Sequence, residues 1–511
     1  MTKLILVKPG RTILQQPKRR ASGSSLTEIR ANLKKQLRLF ILWWTLVHLI
    51  SVPAVAATYY VDPQNGNDSN IGTSTEMAWA TLGKVNGTTL SPGDLVLLRR
   101  SRTWEEGLST DSSGSDSSPV TIGAYGVGDA PVIRSLTVYG DYTVVEDLVI
   151  DAAKASQDAA RVSGARNCVL RRLTIRNGTR EGVDVSRAEN LLIDACHIHH
   201  FLAGSFANQQ DAHGIVVTRS QGITVRNTEI HHVSGDSFQA DPARDANNLT
   251  NDILIEDCHF WTGPLTTDFN SGWVRTDNLP ESQRQYPGEN AIDTKVLKSG
   301  WETVPRMRIT IRNVLAHGWK KDAFIANKAA FNLKEKIEAI IDGVTVFDSE
   351  IAFRLRGANG NANVTLKNGV VYSCEKALRA EDNLENLTVY NSTFGHSIAT
   401  QLQFAGGSAG TSTWEFANNV FVETKPTVAT DPTNLTIAGD ELSINFANYA
   451  SGDYDLRNGS LLIGTGKTLI DVTLDRNGRI RTPPYDIGAY EFSTDGGHGS
   501  PPLPPENLRI M

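Results

Sequence analysis

Ten times between residues 144 and 421 the chain repeats one short phrase: an apolar residue, two spacers, a small or apolar residue, one spacer and another apolar residue. In the first half it reads Val145/Leu148/Ile150, Leu170/Leu173/Ile175, Ile193/Cys196/Ile198, Val225/Thr228/Ile230 and Ile255/Cys258/Phe260. It continues as Ile311/Val314/Ala316, Ile341/Val344/Val346, Leu366/Gly369/Val371, Val389/Ser392/Phe394 and Phe416/Asn419/Phe421. The lead residues step by 25, 23, 32, 30, 56, 30, 25, 23 and 27 residues, a period of solenoid size. The 56-residue step predicts an extra coil or a long loop. Each phrase is rich in β-branched residues and Leu or Phe and is followed by turn formers, so each unit reads as short strands and turns. One such unit cannot bury its apolar face alone, whereas stacked units share a continuous core. The expected fold is all-β, a parallel β-helix. A leucine-rich repeat is disfavoured by the lack of regularly spaced leucines.

The first 56 residues stand apart, with ten Lys/Arg against the single acid Glu28, an apolar run from Leu39 to Leu49, and Ala54-Val55-Ala56. That order of features is a secretory leader, and the run is shorter than the ~20 residues of a membrane span. The expected organisation is a leader at 1–56, a solenoid at 57–494 and a Gly/Pro-rich tail at 495–511, secreted and monomeric. Without the leader the chain keeps 40 basic and 55 acidic residues, a net charge near −15. Such acidity argues against nucleic acid as a partner and requires local cations or a metal to meet an anionic substrate. Cys196 and Cys258 fall two coils apart, too far for a disulfide, and read as packing thiols.

A second strand follows each phrase, and stacking these strands predicts columns of side chains about 4.8 Å apart. The aligned segments are 181–186, 213–218, 236–241, 290–295, 322–327, 351–356 and 376–381. Alternation points Val183, Ile215, Phe238, Ile292, Phe324, Phe353 and Leu378 inward. Three columns are then expected to face outward. The first is Glu181, His213, Asp236, Asn290 and Asp322. The second is Asp184, Val216, Gln239, Asp293, Ile325, Arg354 and Arg379. The third is Ser186, Thr218, Asp241, Lys295, Asn327, Arg356 and Glu381. Carboxylates gather toward one end of this face and cations toward the other.

The opening Tyr59-Tyr-Val-Asp-Pro-Gln-Asn-Gly-Asn-Asp68, with Trp79-Ala-Thr-Leu and Pro92-Gly-Asp-Leu-Val, resembles the amino-terminal cap of secreted β-helix proteins. The order Glu289-Asn-Ala-Ile-Asp-Thr-Lys295, Lys321-Asp-Ala-Phe-Ile325 and Ala352-Phe-Arg-Leu-Arg-Gly357 resembles three segments of the right-handed β-helix polysaccharide lyases, most closely the family 9, pectate-lyase-like group. The resemblance implies cleavage of a uronic-acid-containing glycan by β-elimination, with calcium held by Asp236, Asp241, Asn290, Asp293 and Asp322. It also puts Arg354 where the family has its lysine base.

Elimination needs a carboxylate to be neutralised and a proton removed. Arg pairs with carboxylates through its planar fork but stays protonated, so Lys295 is the alternative base to Arg354 and Arg356 the substrate clamp. Gln239, Asn327 and Arg379 are expected to contact substrate, and His213, in Asp211-Ala-His-Gly214, to act as a general acid or a sugar contact. The plainer alternative pairs Lys295 and Arg354 with Asp241 and Asp293. His199 over His231 and His200 over His232 are expected to form outward ladders, since zinc would need a further ligand there. Two other functions fit the fold: a glycoside hydrolase using a pair such as Asp236 and Asp293, and a glycan-binding surface protein without turnover. Asp475-Arg-Asn-Gly-Arg and Asp486-Ile-Gly-Ala-Tyr-Glu-Phe492 resemble a closing structural strand.

Overall fold

The computed structural model describes residues 56–241, 249–269, 272–295, 304–357, 362–382, 384–405 and 413–494, together with Lys34. Apart from Lys34 and Ala56, the expected leader lies outside the described residues, as does the tail. Among the described residues, three parallel sheets of 13, 12 and 11 strands, here A, B and C, wind into a right-handed parallel β-helix. One coil illustrates the path: Val169–Arg171 lies in sheet A, Thr174–Gly178 in B and Val183–Ser186 in C, and Leu192–Asp194 begins the next coil in A.

The repeated phrase is the corner between sheets A and B. Val145 sits in the A strand Thr143–Glu146, Ile150 in the B strand Val149–Asp151, and Leu148 fills the bend between them, buried. The residue two positions after each lead residue has a left-handed backbone in all ten phrases, with φ from 42° at Asn391 to 66° at Gly343. Seven of these ten corner residues are Asn or Asp, the non-glycine types that adopt this conformation most readily. Their side chains bond along the stack, Asn227 donating to Asp194 at 2.9 Å, Asn368 to Asp342 at 2.8 Å and Asn418 to Asn391 at 3.2 Å.

The 56-residue step is a long excursion and holds no extra coil. Ile255 pairs directly with Ile311 in sheet A and Phe260 with Ala316 in sheet B. The chain leaves after the B strand His259–Trp261 and returns as the C strand Asn290–Thr294.

Inside, Val183, Ile215, Phe238, Ile292, Phe331, Phe353 and Leu378 form one column, all buried. The sequence expectation placed Phe324 in that column, and the structure corrects it. The C strand of that coil is Ala329–Lys334, with Phe331 paired to Ile292. Asp322 instead folds its own segment into a turn, its Oδ1 accepting the backbone N–H groups of Phe324 at 2.7 Å and Ile325 at 2.8 Å. Asn327 ends the turn in a left-handed conformation, and Phe324 is left exposed against the edge of Phe206. The four cysteines are free and buried, and burial pushes the Cys168 thiol up to about 11 and Cys196 to about 12.

The segment expected to close the stack runs back along it. Asn418 donates to Lys467 O, Asn391 to Asp486 O and Asn368 to Leu474 O, while Arg476 bonds to Gly343 O and to Thr345 Oγ1. Residues 467–488 therefore strap four successive A/B corners. Arg481 anchors the strap, fully buried, with bonds to Asn368 Oδ1 at 2.9 Å, Gly488 O at 3.1 Å and Ala489 O at 3.0 Å and an ion pair to Glu491 at 3.2 Å. Removing a buried ion-pair partner typically costs about 3–5 kcal/mol. Arg481→Ala is expected to lose stability of that order in denaturant melts, whereas Arg457→Ala, which removes an exposed bond from Arg457 Nη1 to Ser443 O, is expected to change it by less than about 1 kcal/mol.

Candidate functional site

Sheet C carries the polar face. Its outward column reads Arg161, Asp184, Val216, Gln239, Asp293, Asn332, Arg354, Arg379 and Gln403 in strand register. Beside it run Ser163, Ser186, Thr218 and Asp241, and further along Lys334, Arg356 and Glu381. The expected polar face is present, but Asn332 and Lys334 take the positions assigned from sequence to Ile325 and Asn327.

Three members of the first column, expected outside, are buried. His213, Asp236 and Asn290 are 3%, 0% and 4% exposed. The alternation that turns Phe238 inward also turns inward the residue two before it, at the B-to-C corner. A Cβ on Gly235 would lie 2.3 Å from His213 Nδ1; without one, the ring sits against the backbone and accepts the Asp236 N–H at 2.7 Å. That bond leaves the proton on Nε2, which lies 3.8 Å from Asp211 Oδ2. Burial lowers the His213 pKa, against the pull of Glu181 and Asp211.

Asp236 accepts from Asn290 Nδ2 at 2.7 Å, and its other oxygen lies 3.5 Å from Lys295 Nζ. Lys295 also pairs with Asp293 at 3.0 Å, and Lys334 Nζ meets the same carboxylate at 2.7 Å. Burial raises the pKa of both aspartates, their mutual repulsion adding to it at Asp293. Burial disfavours the Lys295 ammonium, but Asp236 and Asp293 outweigh it and raise its pKa above the ordinary lysine value. Lys295 is thereby held as a cation. Lys334, absent from the sequence-derived set, was hidden by the displaced strand; the alternation in Ala329-Ala-Phe-Asn-Leu-Lys334 was the signal for it.

Glu289 precedes the C strand of this coil, half-buried, its N–H bonded to Gly235 O. Burial first, then the charges of Asp236 and Asp211, push its carboxyl up to about 7. Asp211 is open to solvent, its side chain 61% exposed.

The cations beyond form a second group around Glu381. Arg354 binds it with two nitrogens, Nε at 2.9 Å and Nη2 at 3.2 Å; Arg356 approaches at 3.2 Å, and Arg379 bonds to the same carboxylate. Arg356 also pairs with Asp382, and Arg379 Nη1 donates to Asn327 Oδ1 at 2.5 Å. Asn327 thus reaches the arginines from its loop. Gln239 and Asp241 lie half-buried on the same face, toward the acidic end.

Asp322 is separate from Asp236 and Asp293. It pairs with buried Lys328 Nζ at 2.5 Å, in the wall of a cavity of about 620 Å³ between the 272–286 excursion and the 320–324 loop. The set Asp236, Asp241, Asn290, Asp293 and Asp322 does not fit a calcium cage, which takes six to eight oxygens. The Lys295 ammonium bridges Asp236 and Asp293, and Lys334 meets Asp293 from the next coil.

The histidine ladders form on the outward face of sheet B. His199 stacks on His231 at 5.0 Å and His200 on His232 at 5.1 Å, and the first stack continues through Trp261, His317, Phe347, Tyr372 and His396. Glu229, which the sequence reading passed over, lies in the neighbouring column, and with His197 and His231 it places three potential metal ligands within 4.8 Å of one another. Among the described residues, no helix is long and apolar enough to cross a membrane.

The fold and this polar face define the class, a right-handed parallel β-helix, and the family profile described as the right handed beta helix region matches residues 135–264. The chain is 42% identical over 89 residues to a lacto-N-biosidase of Bifidobacterium longum subsp. longum, a match covering 16% of this chain and 6% of that protein. Among solved structures it is similar to a pectate lyase (15% identity, TM-score 0.48, 86% of this chain and 97% of that one). It is likewise similar to a rhamnogalacturonan lyase (15% identity, TM-score 0.48, 86% and 96% covered). These structural likenesses concern the fold alone.

Replacing Lys295 by Ala leaves buried Asp236 without its ion pair and buried Asp293 with Lys334 alone. Lys295→Ala is expected to lose about 3–5 kcal/mol at pH 7.5. The variant's aspartates then bind protons more tightly folded than unfolded, so its deficit relative to the parent shrinks as pH falls to 5. Urea melts at the two pH values check both.

Proposed function

We propose that the protein cleaves the glycosidic bonds of a carbohydrate lying along sheet C, by hydrolysis, with Glu289 as general acid and Asp211 as the carboxylate that activates water. The supporting observation is that burial and the charges of Asp236 and Asp211 hold half-buried Glu289 up to about 7, while Asp211 is open to solvent. A carboxyl group kept protonated near neutrality suits the general acid, and a solvent-open one has the access to water that a general base needs. Glu289 gives its proton to the leaving oxygen, and Asp211 takes one from the water that attacks the anomeric carbon. His213 Nε2, near Asp211, orients that carboxylate. The pair Asp236 and Asp293 is too deeply buried to meet a sugar and serves to hold Lys295. The short match to a lacto-N-biosidase, a name of glycosidase type, is consistent with this class.

Elimination is the second reading, and one observation favours its substrate. Three guanidinium groups share Glu381, with Asp382 beside Arg356, which leaves a local positive excess suited to a uronate carboxylate. We therefore assign an anionic glycan as substrate. The held charge on Lys295 and the two-point pairing of Arg354 weigh against either as a base. No step is assigned to calcium. The basic, apolar, small-residue order of residues 1–56 supports export, and action as a secreted monomer is part of this proposal.

Incubation with pectic, alginate, glycosaminoglycan and neutral oligosaccharides is expected to release new reducing ends without the ultraviolet absorbance of an unsaturated uronate. Absorbance rising with product would establish elimination instead. Glu289→Gln and Asp211→Asn are each expected to lower kcat/KM by about 10²–10⁴-fold with the circular dichroism spectrum unchanged. An acid that works while protonated predicts kcat/KM falling as pH rises past about 7, and Glu289→Gln should remove that limb.

A further inference from the structure

The face of sheet B opposite this chemistry carries a cluster that the hydrolytic reading does not use. His197 and His231 come from adjacent coils and turn their Nε2 atoms toward each other at 2.8 Å, sharing one proton. Glu229 stands in register with His197, with its Oε2 4.0 Å from His197 Nε2. From the following coil His259 brings its Nδ1 to 3.7 Å from Glu229 Oε1, and that nitrogen is buried without a hydrogen-bond partner. We infer that His197 Nε2, His231 Nε2 and Glu229 form a binding site for a divalent transition metal of the zinc class, with His259 Nδ1 or water in the fourth position.

Four features of the geometry carry this. The three ligand atoms already lie within 4.8 Å of one another. Two nitrogens bound to one tetrahedral zinc at its usual 2.0–2.1 Å sit about 3.3 Å apart, so the rings need part by only about half an ångström once the shared proton leaves. Both non-liganding groups are oriented from behind, His231 Nδ1 by His232 Nδ1 at 2.6 Å and Glu229 Oε1 by the Trp261 indole N–H at 2.7 Å. Such second contacts fix ligand rings and carboxylates in protein metal sites. Finally, two imidazoles and a carboxylate select zinc, cobalt, nickel or copper over calcium and magnesium. The ligands are also reachable, His197 and Glu229 keeping 18% and 15% of their side chains exposed.

The full chain, dialysed against chelator, is to be titrated with Zn²⁺ by calorimetry and with Co²⁺ by visible absorption. One ion per chain is expected, with intense cobalt d–d bands of a four- or five-coordinate site. His197→Ala and Glu229→Gln are each expected to weaken Zn²⁺ binding by 100-fold or more, and Trp261→Phe by about 10–100-fold. Loss of binding in Glu229→Gln, which keeps size and shape, with an unchanged circular dichroism spectrum separates ligand loss from misfolding. No saturable binding to the parent chain, or the same affinity in parent and both ligand variants, overturns the site.

Discussion

The left-handed residue at each A/B corner is the constraint on which the rest depends. It bends the chain within a few residues, so each A strand hands over to its B strand at a fixed offset, from Val145 to Ile150 and from Phe416 to Phe421 alike. A left-handed backbone is strained for most L-residues, and Asn or Asp at seven corners relieves it. Their side chains then bond to the next coil, and the strap anchored by Arg481 closes over four corners in succession. With the corner fixed, strand register is fixed, and every outward side chain acquires a neighbour one strand spacing away.

Register has an electrostatic price on sheet C. Stacking Asp236 under Asn290 and beside Asp293 gathers acids where water is scarce, and burial raises their affinity for protons. Lys295 and Lys334, from adjacent coils, offset that charge in place of an external ion. The same pairing holds both aspartates away from substrate. Glu289 escapes it: the long excursion delivers this residue at the strand's entrance, within reach of the charges of Asp236 and Asp211 yet half-open to solvent.

Much of this was legible in the chain. The phrase spacing carried the solenoid, the register through Val183, Ile215, Phe238 and Ile292 matched the strand pairs, and the stacked histidines lie where their spacing placed them. The failure at Phe324 has a local cause, since Asp322-Ala-Phe-Ile-Ala-Asn327 alternates like a strand and only the Asp322 turn and the left-handed Asn327 reveal a loop. Lys334 was lost with it. Glu229 escaped because only the columns of His199/His231 and His200/His232 were stacked, whereas Glu229 lies in the column of His197 and His259, and the cluster crosses from that column to His231. Ion pairing was legible in part: Lys295 meets Asp293 as the plainer alternative had it, but Arg354 turns to Glu381, and the sequence places Lys295 near acids without saying that two of them are buried.

Sheets B and C are faces of the same coils, and this ties the two proposed sites together. The coil that presents His197 goes on to His213; the coil of Glu229 and His231 reaches Asp236 within five residues of His231; the coil of His259 leads through the excursion to Glu289 and Lys295. The spacing between coils on one face is therefore the spacing on the other. That spacing is set by the backbone ladders, so an ion on sheet B would be met by small side-chain adjustments of His197, His231 and Glu229 and not by a change in the rise between coils. The inner columns of Ile198, Ile230 and Phe260 are buried and close-packed, which holds the coils in one register between the two faces. The shared register therefore spreads both sites over the same three successive coils while leaving their chemistry separate.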